Sequence, residues 1–161
     1  MTKEDIIKVG QEVLEIESRA VGALVPKLDQ SFALAVDLLF HTKSRIIVTG
    51  MGKSGLIGRK VAATLASCGT PAIYIHPADA GHGDLGMILK DDVIVAITYS
   101  GETREIVDLL DFMKRIGIRL ITITGNPHSK IARHSDIVLD ASVEREAEPA
   151  GVVPSASTAA A

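Results

Sequence analysis

Tryptophan is absent from this chain, which holds only two tyrosines and three phenylalanines. A site that stacks purine rings or sugar faces on aromatic side chains is poorly supplied by that composition. One made of backbone amides, hydroxyls and a few charges is well supplied. A lone cysteine, Cys68, permits no internal disulfide. Its apolar, small-residue surroundings predict a buried thiol in a reducing, cytoplasmic setting. Apolar runs such as Val93 to Ile97 are strand-sized, and none approaches the roughly 18–20 residues of a membrane span. Met1 to Lys8 mixes both charge signs around no apolar centre, so no secretory signal and no membrane partner are expected. Positive charge is not in excess. The net charge of −3 speaks against a general nucleic-acid binder, yet a local site on an acidic protein can still be cationic.

What is present is enough for one domain: 161 residues, 47% of them hydrophobic, bury a core. Ile6, Val9, Val13, Ile16, Ala20 and Ala23 recur every three or four positions, widened by Ile7, Leu14 and Val21, which predicts a first helix. Pro26 breaks it. A second helix is predicted from about Leu28 to His41, with Phe32, Val36 and Leu39 inward. So long an apolar helix ahead of the sheet packs on its own domain or on another subunit, and the second reading is preferred.

From Arg45 the texture changes. β-Branched runs at Ile46–Thr49, Ala72–Ile75, Val93–Thr98, Leu120–Thr124 and Ile137–Leu139 alternate with helical segments at Ser54–Cys68, Thr103–Ile116 and His128–His134. This alternation predicts right-handed βαβ crossovers. Near-continuous apolar strands predict helices on both faces. The expected fold is therefore α/β, a three-layer sandwich with a five-stranded parallel sheet in the flavodoxin-like order 2-1-3-4-5, preceded by two N-terminal helices. Residues 1–161 read as a single domain: helices over 1–43, the parallel core over 44–140, and over 141–161 a loop followed by the start of a helix. Pro154 to Thr158 resembles a loop and N-cap leading into that helix, which is expected to continue beyond Ala161.

In an open parallel sheet, ligands bind at the carboxyl ends of the strands. Three turns at that edge combine hydroxyls with glycine: Thr49-Gly50-Met51-Gly52-Lys53-Ser54-Gly55, Thr98-Tyr99-Ser100-Gly101-Glu102-Thr103, and Thr124-Gly125-Asn126-Pro127. Such turns serve capping anyway, but three at one edge favour a phosphate held by amides and hydroxyls. A Walker loop is excluded because it needs glycine where Ile47 stands. Gly50, Gly52 and Gly55 do fit a dinucleotide fingerprint, but strand 2 ends in Ile75-His76-Pro77 without the ribose-holding acid, and Lys53 adds a cation where amides alone are usual. Lys53, between glycines at the ligand edge, is a candidate functional residue. Glu102 and Glu105 open the next helix, where the dipole alone would explain either. Glu144, Glu146 and Glu148 by spacing form a solvated loop. His76 and His82 alone are a weak metal signal.

At these residues the sequence resembles the SIS (sugar isomerase) domain family, and within it the arabinose-5-phosphate isomerases of lipopolysaccharide, Kdo and capsule pathways. The matching stretches are Gly50 to Gly55, His76 to Gly86, Ser100 to Thr103 and Glu146 to Pro149. The resemblance implies that Lys53, Glu105 and Glu146 are catalytic. It implies that His82, Gly69 and Thr70 contact substrate, joined by Gly52, Ser54, Ser100, Gly101, Glu102 and Thr103 in the turns. His76 matches a position associated with zinc that inhibits rather than catalyses; no cofactor is expected to be required. The family tends to homotetramers. It also continues into a longer final helix, which brings a further histidine, and into paired CBS domains, neither of which is found within these 161 residues. Glu148 stands where the family often has cysteine, so activity of the chain by itself stays open at this point.

The implied reaction interconverts ribulose 5-phosphate and arabinose 5-phosphate. A base removes a proton beside a carbonyl, an enediol(ate) forms, and the proton returns to the neighbouring carbon. Glu105 or Glu146 is the expected base, its pKa raised toward neutrality by partial burial. Two alternatives stand beside this reading: a non-catalytic sugar-phosphate sensor, and an isomerase of a hexulose or heptulose phosphate.

Overall fold

The computed structural model describes residues 1–81, 83–148 and 153–161. The five apolar runs form five strands: β1 (Ile46–Gly50), β2 (Ala72–Tyr74), β3 (Val93–Ile97), β4 (Arg119–Thr124) and β5 (Ile137–Asp140). All pairs are parallel and the order is β2-β1-β3-β4-β5, as the alternation predicts. Val48 sits opposite Tyr74 on one side and Val95 on the other, and Val95 opposite Ile121. Every residue of β1 and β3 is buried, because helices cover both faces.

Side chains alternate between those faces. Ile46, Val48, Val95, Ile97 and Ile121 pack against α2 (Gln30–His41) and α3 (Gly52–Ser67) through Ala35, Ala62 and Leu65. Ile47, Ile94, Ala96 and Leu120 pack on the opposite layer, where α5 (Arg104–Val107), α6 (Leu110–Ile116) and α7 (Lys130–Arg133) supply Ile106, Leu110, Met113 and Ile131. A short α4 (Pro77–Gly81) precedes α5 in the same layer. Each fully buried isoleucine contributes about 1.5–3 kcal/mol, so the two layers hold the sheet from both sides. The helix expected over Thr103–Ile116 is two pieces. Its ladder tightens at Leu109, whose amide donates to Ile106 O (3.1 Å) rather than one residue further back.

Two expectations about burial fail. Phe32 and Val36 are 42% and 49% exposed. The helix starts at Gln30, capped by Asp29, whose carboxylate accepts from Ser31 N (2.8 Å). The stripe that meets the sheet is Ala35, Leu38 and Leu39. A small alanine lets the helix axis approach closely. Cys68 is exposed rather than buried. It caps the C-terminal end of α3, and the chain turns at Gly69 (φ 86°) before the thiol can tuck beneath the helix.

The N-terminal helix α1 (Lys3–Gly22) opens with a reciprocal cap: Thr2 Oγ1 accepts from Asp5 N (3.1 Å), and Thr2 N donates to Asp5 Oδ2 (2.7 Å). Only Ile16 and Ala20 of its stripe are buried, against Val143, Ala147 and Ala156 of the last segment, which forms α8 (Ala156–Ala160). Ile7 and Leu14 are left 61% and 68% exposed. A 3₁₀ turn at Val25–Lys27 joins α1 to α2. There Lys27 Nζ donates to Ser142 O (2.8 Å) and Oγ (2.6 Å) and pairs with Asp140 Oδ2 (3.2 Å), pinning this connection to the carboxyl end of β5. Among the described residues no helix is long and apolar enough to cross a membrane.

At the opposite edge one buried carboxylate ties two segments together. Asp92, 1% exposed, accepts from Ser44 Oγ (2.5 Å), Arg45 N (3.1 Å), Arg45 Nη2 (2.8 Å) and Leu89 N (2.9 Å). Burial alone would raise its pKa, but these hydrogen bonds together outweigh it and hold the carboxyl below the usual range. A folded pKa below the unfolded one stabilises the fold above about pH 4 and loses that contribution as pH falls through the folded value. Asp92→Asn is therefore expected to cost about 2–3 kcal/mol at pH 7 in urea denaturation. The gap to the unsubstituted protein should narrow below about pH 4; a gap that is unchanged at pH 3 would show that the charge of Asp92 contributes nothing.

Candidate functional site

A cavity of about 620 Å³ opens at the carboxyl ends of β1, β3 and β4. It is built from the turns singled out by their glycines and hydroxyls, together with the segment after β5.

The β1–α3 turn leaves no room for side chains at two of its glycines. A Cβ at Gly50 would lie 2.8 Å from Ile97 O, and one at Gly55 would lie 2.7 Å from both Gly50 O and Tyr74 Oη. The chain is thus pressed onto its neighbours, and Tyr74 Oη donates to Gly50 O (2.6 Å). Helix α3 begins with neither a side-chain cap nor an acidic residue in its first turn. Its leading amides and the positive end of its dipole therefore remain available to an anion. Lys53 and Ser54 of that first turn line the cavity. Lys53 is exposed and makes no ion pair among the described residues.

The β3–α5 turn supplies Ser100 and Thr103 to the cavity wall. Thr103 Oγ1 lies 2.9 Å from Thr98 Oγ1, and Ser100 Oγ accepts from Glu102 N (3.2 Å). Gly101 has φ +64°, and a Cβ there would overlap the Cβ and hydroxyl of Ser129, so only glycine fits. Glu102 turns away from the cavity: its Oε1 accepts from Lys130 N (2.7 Å) at the start of α7. Tyr99 spans the site. Its carbonyl accepts from Gly125 N (3.0 Å) and Thr124 Oγ1 (3.2 Å) in the β4 turn, and its hydroxyl accepts from Val143 N (3.3 Å) beyond β5.

The segment after β5 brings Glu144, Arg145 and Glu146 to the cavity, and α8 adds Ser157 and Thr158. Glu146 Oε2 accepts from Ser155 N (2.8 Å), Ser155 Oγ (3.1 Å) and Ser157 N (3.2 Å). Burial pushes its pKa up, but the bonds from Ser157 and Ser155 prevail, and the carboxyl sits below the usual range. The expectation of a carboxylate raised toward neutrality is therefore corrected at Glu146: donors that stabilise the charged form outweigh partial desolvation.

Among the remaining described candidates, Glu105, His76, Gly69 and Thr70 do not line this cavity. Glu105 is half-buried in the first turn of α5, off the cavity wall. His76 follows β2, its ring edge-on to Tyr74 at 6.5 Å between centroids. Among the described residues no three His, Cys, Asp or Glu side chains cluster as a metal site. His82 lies outside the described residues. Gly69 and Thr70 precede β2, at the amino-terminal edge of the sheet. Gly52 begins α3 at the site with φ +57°. Sequence reasoning missed Arg145, Tyr99, Ser157 and Thr158. The available signal for Arg145 was its place beside Glu146 just past the last strand, at the ligand edge, rather than its membership of a charged run.

Comparison with known proteins bears on this arrangement. The SIS domain model matches residues 38–161. Arabinose 5-phosphate isomerase KdsD of Pseudomonas aeruginosa is 50% identical over 154 residues, covering 96% of this chain and 47% of that protein. KdsD of Escherichia coli K12 is 47% identical over 156 residues, covering 97% and 48%. The chain thus spans about half the length of the curated relatives it matches. A solved structure of E. coli CFT073 c3406 in complex with arabinose 5-phosphate superposes with a TM-score of 0.95 at 38% identity, covering 99% of this chain and 85% of that one.

The hydrogen bonds around Glu146 predict a measurable response. The Ser157 hydroxyl, in addition to its amide, favours the charged form. Ser157→Ala removes the hydroxyl and keeps the amide, so the Glu146 pKa should move upward, read from the pH titration of its side-chain carboxyl ¹³C resonance. An unchanged titration would show that the Ser157 hydroxyl does not hold the charge.

Proposed function

The chain belongs to the SIS-domain family, and on that premise we propose that its main cavity binds a phosphorylated pentose and interconverts ribulose 5-phosphate and arabinose 5-phosphate. One observation carries this reading: a single cavity holds the uncapped start of α3 with Lys53, Ser54, Ser100 and Thr103, and also the ionised carboxylate of Glu146. The first group suits a phosphate and the second a proton acceptor. The KdsD relatives and the neighbour in complex with arabinose 5-phosphate support the same ligand class.

In this mechanism the α3 amides and the three hydroxyls hold the phosphate, so the sugar enters with a fixed direction. Glu146, charged at neutral pH, takes the proton beside the carbonyl and returns it to the adjacent carbon through an enediolate. Its low pKa makes it a modest base. The step therefore relies on donors that offset the enediolate charge as it develops, and Lys53 is the cation at hand. Glu105, off this wall, plays its part only if substrate extends past the β3–α5 turn. No step uses a metal. The reading carries a cytoplasmic reaction that supplies a lipopolysaccharide sugar.

It also carries a homotetramer. The outward stripe of α1, with Ile6, Ile7, Val9 and Leu14 all more than half exposed, is the face a second copy would cover.

In the whole protein, Lys53→Ala and Glu146→Gln are each expected to lower kcat for arabinose 5-phosphate about 10²–10³-fold. Turnover that survives both changes would sink the catalytic assignment, and turnover that survives Glu146→Gln but not Glu105→Gln would move the base to Glu105. Pairing Ile7→Glu with Leu14→Glu should reduce the assembly's mass in light scattering while leaving the circular dichroism spectrum unchanged; an unaltered mass would place the subunit contact elsewhere.

A further inference from the structure

Two cations and two carboxylates stand on the described wall of the main cavity: Lys53 and Arg145, Glu144 and Glu146. A phosphate monoester at neutral pH carries between one and two negative charges. With Lys53 alone to answer Glu144 and Glu146, such a wall would be net negative. Arg145 restores the balance. Its guanidinium presents five donors in a rigid fork that matches phosphate oxygens two at a time.

Arg145 is also held, loosely, from the other side. Its Nη2 lies 3.5 Å from Glu12 Oε1 of α1, and both side chains are more than half exposed, at 58% and 59%. An exposed, single-contact pair of this kind is weak and easily given up. The residue stands between two spaces. It lines the main cavity and also a cleft of about 210 Å³ against α1, beside Ile16, Arg19, Ala20 and Ala23. The backbone from which it projects is fixed next door, where Ser155 and Ser157 hold Glu146.

From these observations we propose that Arg145 is a second phosphate-binding residue of the site, shared with Glu12, so that ligand and α1 compete for one guanidinium. The proposal rests on the phosphate reading of the cavity. Binding of ligand draws Arg145 away from Glu12, and the Glu12 pair therefore opposes binding by a small amount. This predicts a sign that a purely structural role would not: removing the charge of Glu12 tightens binding.

The test is calorimetric titration of arabinose 5-phosphate, with inorganic phosphate followed in parallel by ³¹P line broadening. It uses the unsubstituted chain, Arg145→Gln, Glu12→Gln and the double variant, with thermal melts to confirm folding. Arg145→Gln should weaken both compounds about tenfold or more, Arg145→Lys should recover part of the loss, and Glu12→Gln should tighten both about two- to threefold. In the Arg145→Gln background the Glu12 change should do nothing. Unaltered phosphate binding in Arg145→Gln overturns the proposal, as does a Glu12→Gln effect that persists without Arg145. Should Arg145→Gln not fold, the Glu12→Gln arm decides: unchanged or weaker binding overturns it. If the unsubstituted chain binds neither compound, the phosphate reading itself fails and takes this proposal with it. Binding that is lost in Lys53→Ala but indifferent to Arg145 and Glu12 keeps the reading and removes the sharing.

Discussion

A parallel sheet covered on both faces can receive a polar ligand only at its ends. The interior of this sheet is apolar on both sides, with β1 and β3 buried at every position, so neither face has room for a phosphate. The order β2-β1-β3-β4-β5 makes the crossovers from β1 and β3 leave to opposite layers, α3 to one and α5 to the other. The turns part at that point and a crevice opens. The cavity sits at this place, and its chemistry follows from which groups a strand-to-helix turn can present: amides of a helix start, hydroxyls, and a few charges carried in on the next segment.

Within the crevice the electrostatics are divided. One wall is a helix N-terminus left without an internal acceptor, and the other is a carboxylate already supplied with donors. The first is unsatisfied in a way an anion would relieve. The second is satisfied in its charged state, which keeps the proton off Glu146 at neutral pH. The carboxylate held in this way and the helix start left open share one cavity, and the carboxylate keeps its charge because Ser155 and Ser157, at the start of α8, donate to it.

The strands, their order and the edge at which the cavity opens were legible because each rests on a local pattern: β-branched runs, glycine turns and the parity of βαβ connections. What was not legible depended on where neighbours lie. Phe32 and Val36 were expected inward because they are large and apolar; the sheet instead receives the stripe of Ala35, Leu38 and Leu39. Cys68 lies in an apolar stretch, but it sits at the exposed end of α3. The pKa of Glu146 depends on residues nine and eleven positions later, which spacing cannot weigh against desolvation. Glu102 could be placed in its turn but not aimed, and its partner is Lys130 N in a different crossover. Arg145 gained its interest only when α1 was seen to pass beside it.

The contact between Gly101 and Ser129 joins the turn after β3 to the turn after β4 with no space between them. Neither position is free to drift on its own. A side chain at 101 would have to be admitted by a loss at 129, and 129 cannot shrink usefully without releasing the start of α7, which its hydroxyl caps. Change at this edge therefore has to travel in pairs, and a lineage that explores new ligands has its open ground elsewhere, at the exposed Glu144 and Arg145 that line the cavity after β5.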